Sequence, residues 1–196
     1  MLGFPWFEKM TDSLKKTATP DLLAARFSRL GIESVTFAHK AVFTVEEGRD
    51  IEVHIPGAHT KNLFLKDKKG QLWLVTALAE TQIDLKTLPR LIGAARLSFG
   101  SASLLEDILG VKPGSVTPFA LMNDSSKRVI PVLDRKMMDF DIVNFHPLTN
   151  TMTTAVRPAD LLLFMKDLGY DPLVIHLEER SALSTTDQEK KYGSRY

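Results

Sequence analysis

With 196 residues, 44% of them apolar and 25% charged, the chain has the balance of one globular unit with a well-buried core. Lys and Arg number 25 against 24 Asp and Glu, so no global basic field draws in DNA, although a local patch can still dock the end of an RNA. The absence of cysteine removes disulfides, cysteine zinc sites and thiol nucleophiles together, no stretch has the apolar length of a membrane span, and the expected setting is the cytoplasm.

The chain opens on an arm, residues 1–19, in which Phe4, Trp6 and Phe7 are interrupted by Pro5 and Glu8, without the basic-then-apolar order of a signal peptide. A helix is predicted from Pro20, capped by Thr19 and stopped by Gly31. The alternation of IESVTFA predicts a strand, and Thr44 with Glu47 forms a capping box for a short helix. Two β-rich runs, Thr60 to Asp67 and Gln71 to Leu78, flank a polar turn with Gly70 and predict a hairpin. Short helices follow around LKTLPRLIG and SLLEDILG. The runs VTPFALM and RVIPVLD, either side of NDSSK, read as a second hairpin. DIVNFHP and TTAV read as short strands, Pro158 to Gly169 as an amphipathic helix and PLVIHL as a last strand. The polar tail, residues 178–196, has no periodicity and is expected to be frayed or disordered. Strands outnumber helices and often follow one another directly, so residues 20–177 are expected to form one α+β domain with a mixed, barrel-like sheet surrounded by helices.

The familiar catalytic motifs are absent: no phosphate-binding loop, no nucleophile elbow and no paired zinc histidines on a helix. His54 and His59 flank a Pro-Gly turn and have no evident third ligand, so neither metal nor cofactor is expected. Four features remain. Lys61 and Asn62 fix a cation and an amide at the entrance of an apolar strand. Gly114, Ser115, Val116, Thr117 and Pro118 form a loop able to present backbone N–H and C=O groups to a ligand. His146 ends a strand that Pro147 forbids to continue. Ser98, Phe99, Gly100 and Ser101 offer hydroxyls beside a flexible glycine, with Ser101 also serving as a helix N-cap. Taken singly, each is as well explained by structure: a solvated strand end, a tight connection, a structural histidine, a cap.

In order along the chain, the run from Ile55 through TKNLFLKDKKGQLWLV, then RLSFGS, then GVKPGSVTPFALMND, then NFHPLTNTMTTAV resembles the YbaK/prolyl-tRNA-synthetase-type editing domains. Among these it is most similar to the freestanding prolyl-tRNA editing proteins, over roughly positions 20 to 177. The resemblance implies hydrolysis of the ester between alanine and the terminal adenosine of tRNA(Pro). It assigns Lys61 to the family's essential lysine, anchoring the CCA end, and Asn62 to the neighbouring asparagine. Gly114 to Pro118 match the loop that holds the aminoacyl group, and His146 a histidine of the substrate pocket. Val42, Phe43 and Thr44 are expected in the pocket wall, with Ser98 among the substrate contacts.

An aminoacyl ester is already activated, so positioning and oxyanion stabilisation can carry most of the acceleration without a strong protein nucleophile. Rejecting proline by size would make the pocket the second sieve of a double-sieve system. Two alternatives stay open: a deacylase for cysteinyl-tRNA(Pro) or for a seryl or threonyl ester, and a non-catalytic module that binds tRNA or a synthetase. The expected partner is the aminoacylated CCA end of tRNA(Pro), with prolyl-tRNA synthetase or an elongation factor as further partners, and no membrane. Lys66, Lys68 and Lys69 in the hairpin turn are candidates for acceptor-stem contact, or simply a solvated turn.

Overall fold

The structure, a computed structural model, describes residues 17–41 and 54–178. Most of the arm expected at 1–19, nearly all of the tail expected at 178–196, and the Thr44 capping box lie outside the described residues.

Helix α1 spans Pro20–Leu30: the Thr19 hydroxyl accepts from Leu22 N–H, Pro20 occupies the first turn, and Gly31, at φ 67°, closes the end in the left-handed region. Strand β1 follows at Val35–Ala38, and β2 (Ala58–Asp67) and β3 (Leu72–Leu78) form the expected antiparallel hairpin. Helix α2 (Leu88–Ile92) leads to a short strand, β4 (Leu97–Phe99), and helix α3 (Ala102–Leu109) begins at Ser101, whose hydroxyl accepts from Leu104 N–H. Strands β5 (Val129–Asp134), β6 (Val143–Phe145) and β7 (Met152–Val156), helix α4 (Pro158–Asp167) and strand β8 (Leu173–Ile175) complete the described elements.

The second predicted hairpin does not form. Residues Pro118–Asn123 make a 3-10 helix, and β5 pairs parallel with β3 and with β8. Thr117 is extended and its hydroxyl accepts from Phe119 N–H, while Pro118 lacks a donor and presets its φ for a helical first turn. The apolar run is thus capped into a turn rather than extended. A 3-10 turn at Arg135–Asp139 and strand β4 were not anticipated either.

The eight strands form one mixed sheet in the order β1-β7-β6-β2-β3-β5-β8, with β4 also on β2. Strand β2 joins two halves: β1, β7 and β6 on one side, and β3, β4, β5 and β8 on the other. One face carries the larger core, where Phe119 meets Phe27, Phe164 and Phe145 edge-on at ring-centroid distances of 5.2, 5.4 and 5.4 Å. Each such pair adds about 0.5–1.5 kcal/mol beyond area burial and ties α1, the 3-10 helix, β6 and α4 together. The other face carries Leu65, Trp73, Val75, Ala77 and Val132 under α2. Burial pushes the Tyr170 hydroxyl pKa up, as does its hydrogen bond of 2.8 Å to Asp124, whose carboxylate also accepts from Val129 N–H where β5 starts.

Candidate active site

Strand β2 is built differently along its length. β3 runs beside it throughout, from Thr60↔Leu78 to Lys66↔Leu72. On the opposite edge, β6 covers only Ala58 and His59, and β4 covers Leu65 to Asp67, with Gly100 N–H donating to Phe64 C=O. Between them, Thr60, Lys61, Asn62 and Leu63 have no strand on that edge among the described residues. A gap in a sheet leaves backbone donors and acceptors to be satisfied by water or ligand, and this one holds the two residues that the sequence singled out.

Lys61 and Asn62 leave the strand on opposite faces, as alternation requires. Lys61 shares the face of Leu63 and Leu65, and its Nζ donates to Ala79 C=O at 2.9 Å. An ammonium has three donors, so two remain for other acceptors. Asn62 shares the face of Phe64; its Oδ1 accepts from Thr76 Oγ1 at 2.8 Å, across the register pair that joins them. That bond fixes the amide plane and leaves the amide NH2 without a protein partner among the described residues.

His146 comes to the Lys61 face by register. His59 pairs with Asn144 in parallel; Lys61 lies two residues further along β2, and His146 lies just beyond the end of β6, on the side that alternation from Asn144 gives it. His146 Nδ1 lies 3.0 Å from Met152 C=O, which can only accept, so Nδ1 carries the proton. The ring of His39 stands 6.2 Å away, its Nε2 2.9 Å from Thr153 Oγ1. Asn144 was not singled out from the sequence, although its place in NFHP, two residues before His146, puts it on this face. It is 3% exposed; its Nδ2 donates to Pro56 C=O at 3.0 Å, Thr60 Oγ1 donates to its C=O at 2.6 Å, and its Oδ1 is buried without a partner among the described residues.

The Gly114 to Pro118 loop enters from α3. Gly114 has φ 87°, and a Cβ added there would come within 3.9 Å of the Asn150 amide nitrogen in the β6–β7 connection. The loop therefore approaches the same end of β6 as His146. Ser115 is buried with its N–H on Lys112 C=O, Val116 packs on the larger core, and Thr117 and Pro118 are buried as the cap and first residue of the 3-10 helix. The backbone around Gly114, rather than these side chains, is what the loop exposes.

Ser98 is not brought to this place. It pairs with Lys66 in β4, about five residues or roughly 17 Å along β2 from Lys61, and its Oγ donates to Lys66 C=O. Val42, Phe43 and Thr44 lie outside the described residues. Among the described residues, His54 and His59 included, no group of three His, Cys, Asp or Glu is placed to hold an ion.

Beside Lys61 lies a cleft of about 560 Å3 lined by Glu80, Gln82, Asp84, Thr87, Leu91, Leu177 and Glu178. Its hydrogen bond to Lys136 holds the Glu178 carboxyl below the ordinary carboxylate range, helped by Gln82 N–H and by the field of Lys61. The surroundings of the lysine thus carry charges of both signs.

Lys61 and Asn62 thus stand on the two faces of one stretch of β2, with His146 beyond the end of the neighbouring β6 and the Gly114 loop near the β6–β7 connection. Residues 39–164 match the aminoacyl-tRNA editing domain, and the chain belongs to that family. A prolyl-tRNA synthetase associated domain-containing protein from Danio rerio is 39% identical over 152 residues, 76% of this chain and 83% of that protein. The prolyl-tRNA editing protein ProX of Acetoanaerobium sticklandii is 36% identical over 146 residues, 74% of this chain and 89% of that one. A solved structure described as a candidate trans-editing enzyme for prolyl tRNA synthetase superposes with a TM-score of 0.61 over 84% of this chain and 98% of its own; at 20% identity the likeness is one of fold. The family acts on aminoacyl-tRNA and is hydrolytic in kind.

Proposed function

We propose that this chain removes alanine from mischarged tRNA(Pro) in trans, hydrolysing the ester to the terminal adenosine. The observation that supports it most is the gap in β2, where Lys61 and Asn62 stand between the ends of β6 and β4 with His146 on the lysine's face. In this reading the two spare donors of Lys61 anchor a phosphate of the CCA end. Asn62, held by Thr76, orients the substrate through its amide NH2. His146 binds and orients the terminal nucleotide, and the backbone around Gly114 cradles the aminoacyl group.

The reaction then needs little from side chains. A water oxygen attacks the ester carbonyl carbon, the bond to the ribose oxygen breaks, and the departing oxygen takes up a proton to give free alanine and a free tRNA 3′ end. N–H groups near the oxyanion stabilise the tetrahedral intermediate without reorganising. Holding water and ester together supplies the rest. A pocket closed to the proline ring would spare correctly charged tRNA. The protein would work in the cytoplasm, beside prolyl-tRNA synthetase or an elongation factor.

A deacylation panel of alanyl-, cysteinyl-, seryl-, threonyl- and prolyl-tRNA tests the reading. Release of alanine well above the other amino acids is expected, with prolyl-tRNA spared. Preferential release of a different amino acid would change the substrate, and release of none at enzyme excess would leave a binding module.

A further inference from the structure

Residues 146–151 join β6 to β7. Leu148 in this connection has φ 68°, a left-handed conformation that a bulky side chain rarely adopts. Its N–H donates to His146 C=O at 3.0 Å, closing a tight turn on Pro147, and its side chain packs against the larger core. Either side of Asn150, the Thr149 and Thr151 hydroxyls lie 3.0 Å apart, and Thr151 N–H donates to Thr149 Oγ1 at 3.4 Å. Thr151 C=O accepts from His39 N–H at 2.9 Å, which ties the connection to the end of β1. Strained backbone persists where its surroundings over-determine it, and it collects at sites where a group has to be aimed.

The group aimed here is the Asn150 amide. A Cβ built on Gly114 would lie 3.9 Å from Asn150 Nδ2, so this nitrogen stands beside the Gly114 backbone. Gly114 is the third residue of a turn in which Ser115 N–H donates to Lys112 C=O at 3.0 Å. With Pro113 second and Gly114 at φ 87°, this is a type II turn, whose third position favours glycine. Gly114 is exposed, and its N–H has no protein acceptor among the described residues. A backbone N–H and a side-chain amide, which carries two donors, are therefore neighbours at one accessible glycine.

We propose that Asn150 completes an oxyanion hole, its side-chain N–H and Gly114 N–H donating together to the carbonyl oxygen of the ester as that oxygen becomes negative. The inference rests on the deacylase reading and adds to it a residue that the sequence did not single out. When water adds to the carbonyl carbon, the C=O π pair moves onto oxygen, and the two donors stabilise that charge. When the pair returns, the bond to the ribose oxygen breaks and both donors are left unchanged. No proton leaves Asn150, so the role needs a placed donor and not a titrating group. A donor already fixed by the strained turn needs no reorganisation at that moment, which solvent water would.

The test compares, by calorimetric titration of the full chain, two stable conjugates of adenosine. The 3′-alanyl amide mimics the ester, and the 3′ ester of 1-aminoethylphosphonic acid, with its anionic tetrahedral phosphorus, mimics the intermediate. Wild type is expected to bind the phosphonate about 100-fold more tightly than the amide. In Asn150→Ala, phosphonate affinity falls about 100-fold while amide affinity changes by less than about twofold, and single-turnover release of alanine slows by a similar factor. Asn150→Asp, which keeps the side chain's shape and removes both N–H donors, shows the same selective loss, with circular dichroism reporting that the fold is retained. Equal losses for both conjugates would make Asn150 a structural or ground-state contact and overturn the proposal, as would no loss for either. Against a wild type that prefers the phosphonate, such results leave the deacylase reading in place. A wild type with neither that preference nor alanine release overturns both.

Discussion

The two halves of β2 solve opposite problems with one strand. From Phe64 to Asp67 its edges are largely paired, Phe64 and Leu65 enter the two cores, and Asp67 is saturated by backbone donors. From Thr60 to Leu63 one edge carries no strand among the described residues, where Lys61 and Asn62 each make a single side-chain bond. The first half fixes the strand. The second half is thereby held rigid while its polar groups stay available. Stability and the proposed chemistry are adjacent in sequence and are expected to separate by mutation.

The largest separation should come from Leu65, which has no exposed surface. Leu65→Ala is expected to cost about 2–5 kcal/mol in urea unfolding; a loss under 1 kcal/mol would mean that this half does not hold the strand. Lys61→Ala should do the converse. Deacylation kcat/KM is expected to fall about 100-fold, ~2.7 kcal/mol of transition-state stabilisation, while the unfolding midpoint barely moves because the lysine is on the open half.

Asp67 sharpens the comparison through pH. Burial pushes its carboxyl pKa up, but the N–H groups of Ala95, Gln71 and Lys69, with the charge of Lys69, together hold it below its ordinary value. A depressed folded pKa gives stability that is present above the unfolded value of about 3.9 and lost as pH falls through the folded value. Asp67→Asn should therefore be less stable than wild type at neutral pH, with the difference shrinking in acid; a difference that grows in acid would reverse the assignment. The smallest effect belongs to Ser98. Its single exposed bond of 3.3 Å, about 17 Å from Lys61, predicts that Ser98→Ala leaves deacylation unchanged and stability within about 0.5 kcal/mol.

Local chemistry made much of this visible in the sequence. Thr19, Pro20 and Gly31 bracket α1 as their conformational preferences require, and alternating apolar residues with Gly70 marked the β2–β3 hairpin. The error over VTPFALM has the same origin: apolar content suggested a strand, whereas Thr117 and Pro118 favour a capped turn, and pattern alone did not weigh the two. Parallel pairing of β2 with β6 and of β3 with β5 depends on contacts far apart in the chain, and no local signal carries it. The site divides likewise. Lys61, Asn62, the glycine loop and His146 were each ordinary by local chemistry and were grouped only by the family resemblance, while the unpaired edge beside Lys61, among the described residues, follows from where β6 ends and β4 begins. Asn144 was hidden because a buried asparagine in a short strand looks ordinary until its unpartnered oxygen is located.

The central claim, that the open half of β2 is a site for hydrolysing alanyl-tRNA(Pro), is tested most directly by single-turnover release of alanine from that substrate with enzyme in excess. Wild-type protein should release alanine far faster than buffer, and Lys61→Ala, equally folded, should be slower by about two orders of magnitude. Wild type and Lys61→Ala releasing alanine at the same rate would contradict the account.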